Sequence, residues 1–371
     1  MSEDALDTTL EESVPMIQSA PRPPDHAVVR VLRTCRDFWT GSTTIPTFVV
    51  VLLAFTLLGF AIKTRQLESL PTVSVLPKEE VCRPRVVNVA DINYPSGHRF
   101  YTMLKDMDPP LPLTFRGNHR ILCQEKWRRK MNYKYCLPMT PRKDTPFCLA
   151  GDRTDLLSVA ASPTSVCYAS VLHLLLVDVY EEMKATGNTP LVVYGSLLGA
   201  VRNGSIIPFT EDTDIGYVQE LRNREQLIEG LWRKGYHMFD YSIWRVCVAP
   251  THPLAFRLYD TNSLLAKDFD VPYVDLYKME ELNNGSWKVD CFEGTNGDIL
   301  PSEKIEPFSH VTINGMPFDT VHDPQYFLTE SYGPDYMTPH SRTDYMTLRP
   351  RTSNEEGKPR LWEKILKALQ H

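Results

Sequence analysis

Two aspartates separated by one residue, Asp212 and Asp214, are the side chains in this sequence that most directly suggest chemistry. They lie in the stretch EDTDIGYV, which follows Pro208 and predicts a β-strand. Residues two apart on a strand point to the same side, so the two carboxylates should project together. Carboxylates held this close repel each other unless a cation joins them. A hard divalent ion, Mg²⁺ or Mn²⁺, would remove that repulsion and bind substrate phosphates.

A metal ion of this type needs a third oxygen ligand, and the run VPYVDLY supplies Asp275 between apolar residues. This pattern is typical of a central strand, which we expect to face the same cleft. Asp268 and Asp270 lie nearby and are the alternatives. Pro272 interrupts the strand between Asp270 and Asp275, which favours Asp275. Asp-x-Asp pairs are common on solvated loops. The hypothesis of a metal site therefore depends on the pair together with the strand around Asp275 and the Gly-Ser segment that precedes the pair.

The stretch LVVYGSLLGAVR, just before the aspartate pair, predicts an anion-binding turn. Residues 191–194 form a short apolar, β-branched run, which indicates a buried strand. Gly195 and Ser196 then make a tight turn that starts a helix over residues 197–202. A helix N-terminus reached through a glycine offers free backbone N–H groups to an anion, so a phosphate could bind there.

The elements that must position these residues are a mixture of helices and strands. A helix is predicted from Ser162-Pro163 to Gly187, with His173 as a core residue, and a second helix within residues 220–235. Short β-rich runs follow: IWRVCVA, LAFRLYD, VPYVDLY and WKVDCF. This order favours an α/β or α+β domain.

Residues 45–62, IPTFVVVLLAFTLLGFAI, form an 18-residue run without a charge, about the minimum that spans a bilayer. A cleaved signal peptide and a buried core helix are the alternatives. A signal peptide normally has its apolar region near the start of the chain, whereas 44 residues precede this run. We therefore predict a cytosolic tail at 1–44, a transmembrane signal anchor at 45–62, a stem at 63–90 and a globular catalytic domain at 91–371.

The residues after this run suggest the secretory pathway. Seven of the eight cysteines follow it, as does a glycosylation sequon at Asn284, and both features fit an oxidising lumen. The numbers of arginines and lysines on the two sides of the apolar run favour a cytosolic N-terminus only slightly. Because seven is odd, at least one thiol is free, buried or paired between chains. The net charge of −6 gives no signal for nucleic acid.

The stretch YGSLLGAVRNGSIIPFTEDTDIGYV resembles the signature of the LicD/fukutin family. The similarity continues through VDLYKME and through YFLTESYGPDYMTP, and spans about residues 165–339. The turn, the Asp-x-Asp pair and the third aspartate also resemble the wider nucleotidyltransferase pattern. The resemblance therefore implies a nucleotidyltransferase-like mixed sheet with flanking helices.

The resemblance also implies a metal-dependent phosphotransferase. Such an enzyme takes a phosphorylated small group from a nucleoside diphosphate donor, such as CDP-choline or CDP-ribitol, to a glycan hydroxyl. By position in the family pattern, the ligands of Mg²⁺ or Mn²⁺ would be Asp212, Asp214 and Asp275. The residues that line the part of the site that binds the donor phosphates would be Gly195, Ser196 and Arg202. The implied location is the Golgi or endoplasmic reticulum membrane, with the catalytic domain in the lumen and one helix in the membrane.

Three departures from the family pattern stand out. Thr210 and Glu211 replace the first two aspartates of the usual run, and Phe209 replaces the usual Trp. A second sequon starts at Asn203, inside the active-site segment, where a glycan would obstruct the cleft, so we expect it to stay unmodified.

Two other functions remain open. The first is an Asp-x-Asp glycosyltransferase that uses a nucleotide sugar, since it too would be a membrane-anchored enzyme with a metal on a diphosphate. The second is a non-catalytic, membrane-anchored relative that kept the fold. Release of CMP from CDP donors, release of sugar from nucleotide sugars, or ligand binding without turnover would separate the three.

Overall fold

The computed structural model divides the chain into two compact units, Met1–Leu76 and Pro77–His371. It describes residues 49, 51–58, 80–94, 97–108, 112–144, 148–149, 151–295 and 297–339. Within the first unit, Val49 and residues 51–58 are helical, and the rest of the predicted tail, span and stem up to residue 79 lies outside the described residues. Among the residues that are described, no helix is both long and apolar enough to cross a membrane. The anchor at 45–62 stays a prediction.

The second unit contains all the elements named below. The strands are β1 Val81–Cys82, β2 Phe115–Arg116, β3 Pro190–Val192, β4 Asp212–Val218, β5 Tyr236–Tyr241, β6 Ile243–Val248, β7 Tyr273–Glu281, β8 Trp287–Val289, β9 Ile299–Leu300, β10 Ser309–Ile313 and β11 Met316–Thr320. The α-helices are α1 Arg99–Lys105, α2 Tyr168–Ala185, α3 Tyr194–Asn203, α4 Arg224–Arg233, α5 Ala255–Leu258, α6 Ser302–Ile305 and α7 Pro324–Tyr332.

A seven-stranded mixed sheet is the centre of this unit. Its strand order is β3-β4-β7-β6-β5, and β8 and β9 extend it from β7. Strands β4 and β7 are parallel, whereas the other pairs in the sheet are antiparallel. The prediction of a mixed α/β domain is confirmed.

Helix α2 is the main packing partner of the sheet and contacts β4, β6 and β7. Fourteen of its residues are buried, which fits its long apolar sequence. The helix begins at Tyr168 rather than at the predicted Ser162, because residues 162–166 form turns closed by bonds from Ser165 N and Val166 N to Ser162 O. Its predicted end is confirmed, with Gly187 at φ 81° just beyond it.

His173 on α2 is a core residue, as predicted. Its side chain is fully buried, and Nδ1 accepts a hydrogen bond from Arg153 N at 3.1 Å. Burial lowers the pKa of this imidazole to about 4, so the ring is neutral at physiological pH.

The prediction of a strand at LAFRLYD is wrong, because α5 begins at Ala255 in this run. His252 Nδ1 accepts a hydrogen bond from Leu254 N at 3.0 Å and turns the chain into the helix. Ala255 and Leu258, three apart, are both buried. A short run that alternates apolar and polar residues can form either a strand or a helix. Here the burial of two residues three apart favours the helix.

The segment at 80–90, assigned to the stem from sequence, packs on this unit. β1 pairs with β2, Cys82 forms a disulfide with Cys123, and Val87 N donates to Thr251 O at 2.8 Å. The folded unit therefore includes residues before the predicted boundary at 91.

The cysteines after the predicted span form three disulfides within the chain: Cys82–Cys123, Cys136–Cys247 and Cys148–Cys167. Cys291 is free, which confirms that one thiol has no partner in the chain.

Candidate metal centre

The structure brings together the three aspartates that the sequence singled out. β4 and β7 lie side by side in parallel, and their register sets Asp214 directly opposite Asp275. Asp212 lies two residues from Asp214 and therefore shares its side of the sheet. Carboxylate oxygens of Asp212, Asp214 and Asp275 all lie within 4.8 Å of one another. This group of hard oxygen atoms could hold a metal ion.

The alternative third carboxylates lie elsewhere. Asp268 accepts a hydrogen bond from Tyr241 Oη at 3.1 Å, and Asp270 accepts one from Lys267 N at 3.3 Å. Both residues are in the turn before β7, and neither belongs to the group with Asp212 and Asp214. Because a strand carries Asp275 into the sheet, it is the acid that reaches the pair.

Burial makes this group of carboxylates electrostatically costly. Asp214 and Asp275 are each only 5% exposed, while Asp212 is partly exposed. Burial, then the charges of Asp212 and Asp275, raise the pKa of Asp214 well above its usual range. Burial also raises the pKa of Asp275 to about 7, although the nearby Arg245 opposes this. The site therefore favours uptake of positive charge, as protons or as a metal ion.

The first turn of α3 is built closely around Asp214, because the helix begins at Tyr194 and includes Gly195 and Ser196, which the sequence had placed in a turn before it. Ser196 N donates to Asp214 Oδ2 at 3.2 Å, and Asp214 N donates to Ser196 Oγ at 2.7 Å. A Cβ atom at position 195 would lie 2.8 Å from Asp214 Oδ2, so glycine is required there for the close approach. Gly195 and Ser196 thus lie beside the aspartate group, and the Ser196 hydroxyl accepts a hydrogen bond from the Asp214 backbone.

Tyrosine and threonine hydroxyls surround the other two carboxylates. Thr210 Oγ1 donates to Asp212 Oδ1 at 3.0 Å and Tyr273 Oη to Asp212 Oδ2 at 3.1 Å. Tyr277 Oη donates to Asp275 Oδ2 at 3.1 Å. Thr210, which replaces an aspartate of the family pattern, therefore adds a donor in place of a further negative charge.

Sequence reasoning missed Tyr273, Tyr277 and Arg245. The two tyrosines lie two residues before and after Asp275, so strand periodicity alone would have placed them on its side of the sheet. Arg245 lies on β6, and only the β6–β7 register, which pairs it with Asp275, shows its position.

A cavity of about 310 Å³ adjoins the aspartates, within the size range of ligand pockets. The residues that line it are Tyr194, Gly195, Thr210, Asp212, Asp214, Tyr277, Cys291 and Tyr332. Tyr332 is the last residue of α7, so this helix contributes to the cavity.

Arg202 lies at the opposite end of α3 from Gly195, seven residues or roughly 10 Å along the helix axis. Its Nε donates to Tyr336 O at 2.8 Å and its Nη2 to Thr338 O at 3.1 Å. The guanidinium thus holds the segment that follows α7. A direct contact between Arg202 and a phosphate stays a prediction.

Asn284 is exposed in the turn between β7 and β8. Its Oδ1 accepts from Ser286 N at 3.0 Å and Ser286 Oγ at 2.7 Å, the other side chain of the sequon. In the second sequon, Asn203 is exposed at the end of α3, whereas Ser205 is 6% exposed. Glycosylation at Asn284 stays a prediction with an accessible site.

Comparison with known proteins supports the resemblance seen in the sequence. Residues 188–320 match the family model described as LicD/FKTN/FKRP, nucleotidyltransferase domain. The matched range includes the turn at Gly195 and all three aspartates. No curated protein matches the chain.

Proposed function

We propose, from the match of residues 188–320 to the LicD/FKTN/FKRP nucleotidyltransferase domain model, that this chain is a metal-dependent phosphotransferase. It transfers a phosphorylated small group, such as phosphocholine or ribitol phosphate, from a nucleoside diphosphate donor to a glycan hydroxyl. CDP-linked donors are favoured. The observation that carries this proposal is the convergence of Asp212, Asp214 and Asp275 within 4.8 Å beside a cavity.

The donor atoms suit the proposed ion. The described residues that form the group are all aspartates, without cysteine or histidine, and such hard oxygen ligands favour Mg²⁺ or Mn²⁺ over softer metals. When bound, this ion would neutralise phosphate charge and polarise the transferring phosphoryl group.

The side chains of the site have separate roles in the proposed reaction. Ser196 and Gly195 hold the turn against Asp214, while Thr210 and Tyr273 orient Asp212. The acceptor hydroxyl oxygen forms the new bond to the phosphorus that carries the small group. The bond from that phosphorus to the bridging oxygen breaks, and the nucleoside monophosphate leaves with the electron pair.

Asp275 is the residue proposed to accept or orient the proton of the acceptor hydroxyl. Its carboxylate is held by Tyr277 Oη and lies opposite Asp214 across the strand pair.

The test uses the purified full-length chain with Mn²⁺ and a panel of nucleotide donors. We expect one CDP-linked donor to raise the melting temperature and to release CMP when a glycan acceptor is present. Release of sugar from a nucleotide sugar would instead support an Asp-x-Asp glycosyltransferase. Binding of metal and nucleotide without turnover would support a non-catalytic relative.

We place the protein in the Golgi or endoplasmic reticulum membrane as a single-pass protein with a luminal catalytic domain. The three disulfides support an oxidising compartment, and the exposed Asn284 supports access to the glycosylation machinery. A glycosidase should shift the mobility of the expressed protein, and Asn284→Gln should abolish the shift. Digestion of the domain by protease in sealed microsomes would contradict this location.

A further inference from the structure

Arg245 is a buried cation at the edge of the aspartate group. It is 7% exposed, and its Nε lies 2.7 Å from Asp275 Oδ1. The N–H direction departs from that of a hydrogen bond, so the contact is a close ion pair. Arg245 and Asp275 are also cross-strand partners in the β6–β7 register, which fixes the two backbones relative to each other.

Aromatic rings hold the guanidinium in place. Its carbon lies 5.3 Å from the ring centre of Phe269, 5.5 Å from that of Tyr241 and 5.8 Å from that of Tyr273. These distances are in the range of cation–π attraction. Arg245 Nη1 also donates to the backbone oxygen of Tyr241. The guanidinium therefore has little freedom to leave Asp275.

Tyr273 connects this arrangement to a second carboxylate. Its ring contacts Arg245, and its hydroxyl donates to Asp212 Oδ2 at 3.1 Å. Asp212 on β4 and Asp275 on β7 are thus oriented by two residues that touch each other. Partners that orient metal-ligating side chains typically change metal affinity by ~10–100-fold when removed.

We propose that Arg245 and Tyr273 are positioning residues that set the affinity of the three-aspartate site for its divalent ion. Arg245 acts through the orientation of Asp275, and Tyr273 acts through the orientation of Asp212. This inference rests on the proposed metal site and goes beyond it by giving two residues that contact its carboxylates a role in metal affinity.

The direction in which Arg245→Met changes the affinity for Mn²⁺ separates a positioning role from a simple effect of charge. A fixed positive charge close to a metal site repels the ion, so on charge alone Arg245→Met should tighten binding of Mn²⁺ when the titration is run at a pH high enough that the Kd no longer changes with pH. If Arg245 orients Asp275, the same substitution should weaken binding, since the carboxylate loses its fixed partner.

The experiment is a calorimetric titration of Mn²⁺ alone into the purified full-length chain, without donor or acceptor. We expect Arg245→Met to raise the Kd by ~10–100-fold. Arg245→Lys keeps a cation beside Asp275 and should bind Mn²⁺ more tightly than Arg245→Met. An unchanged or lower Kd in Arg245→Met, or equal Kd values in the two variants, would overturn the role of Arg245.

A milder substitution tests Tyr273 without removing a buried charge. Tyr273→Phe loses only the hydroxyl that donates to Asp212 and keeps the ring beside Arg245, so we expect a Kd raised by about 10-fold. Tyr135→Phe is the matched control. Tyr135 is fully buried, and its hydroxyl has no hydrogen-bond partner within the described part of the chain. Equal affinity of Tyr273→Phe and the control would overturn the role of Tyr273.

Asp214→Asn, in the same titration, separates this inference from the proposed function. If the wild-type chain binds Mn²⁺, Asp214→Asn does not, and the Arg245 and Tyr273 variants match the wild type, only the positioning roles fail. If the wild-type chain itself takes up no Mn²⁺, the proposed metal site fails with them.

Discussion

Two buried clusters in this protein combine carboxylates, tyrosine hydroxyls and an arginine, yet they differ in charge. The cluster around Asp178 on α2 has one fully buried arginine, Arg153, at 3.6 Å from Asp178 Oδ1. Tyr236 Oη donates to Asp178 Oδ2, and Tyr101 Oη lies 2.8 Å from Asp178 Oδ1 and 2.7 Å from Glu181 Oε2. Asp178 is buried and Glu181 is partly exposed, and Arg153 balances the charge of the buried carboxylate.

The aspartate group on β4 and β7 is arranged differently. Three carboxylates lie within 4.8 Å of one another, and Arg245 forms an ion pair with Asp275. The pKa values of Asp214 and Asp275 are both raised, chiefly by burial. A buried carboxylate whose charge is balanced needs no further cation, whereas a cluster with surplus negative charge has an electrostatic cost that a bound cation can remove. This difference favours the aspartate group on β4 and β7 as the candidate site.

Asp178→Asn should give the largest loss of stability. Removing one partner of a buried ion pair leaves Arg153 uncompensated, at a cost of about 3–5 kcal/mol. Urea unfolding of the metal-free chain measures this change. The rise in melting temperature on adding Mn²⁺ should persist, and its loss would show that the two clusters are not separate.

Asp214→Asn should have the opposite effects. Transfer activity should fall by at least ~10²–10³-fold, as for loss of a key electrostatic contact, and Mn²⁺ should no longer raise the melting temperature. The melting temperature without metal should stay the same or rise, because a repelling buried charge is gone.

Asp270→Asn is the control for this substitution, because Asp270 lies outside the aspartate group and should leave most of the activity intact. Full activity in Asp214→Asn would remove the metal hypothesis. Loss in Asp270→Asn with retention in Asp275→Asn would identify Asp270 as the third ligand.

The pH dependence of stability sharpens the comparison further. Asp275 has a pKa of about 7 in the folded chain against an ordinary value of 3.8, so between these values the folded state holds a proton that the unfolded state has released. Its contribution to stability therefore falls as pH rises from about 4 to 7, by at most ~1.4 kcal/mol per pH unit, and is constant above that.

Asp275→Asn should reduce this slope in urea unfolding of the metal-free chain at pH 5, 6 and 7. Binding of Mn²⁺ should weaken as pH falls through 7, because protons compete for the same oxygen atoms. A slope that is unchanged in Asp275→Asn would show that other groups produce it.

Tyr236→Phe should reduce stability less than Asp178→Asn does. It removes one hydroxyl that donates to Asp178 and leaves a buried acceptor oxygen with one partner fewer, at a cost of about 1–3 kcal/mol. Affinity for Mn²⁺ should not change, in contrast to Tyr273→Phe, where affinity falls and stability changes little. Equal effects of the two substitutions on Mn²⁺ affinity would contradict the distinction between the clusters.

Much of the site could be predicted from sequence because its signals are local. The Asp212 and Asp214 pair, the turn at Gly195 and the strand around Asp275 each occupy a few consecutive residues, and strand periodicity fixes which side chains share a face. Helix starts were harder to predict. Ser162-Pro163 is a valid helix start by its residue types, yet residues 162–166 form turns and α2 begins only at Tyr168.

The sequence by itself determined two parts of this protein's candidate site: the three carboxylates and the Gly195-Ser196 pair. Only the tertiary structure decided that Asp275 lies opposite Asp214, that Arg245 from another strand pairs with Asp275, and that Tyr332 lines the cavity. The physical reason is that pairing between strands distant in sequence depends on how whole elements pack. Shifting a register by one residue would turn each side chain to the opposite face, and no local pattern specifies that choice across two separate strands.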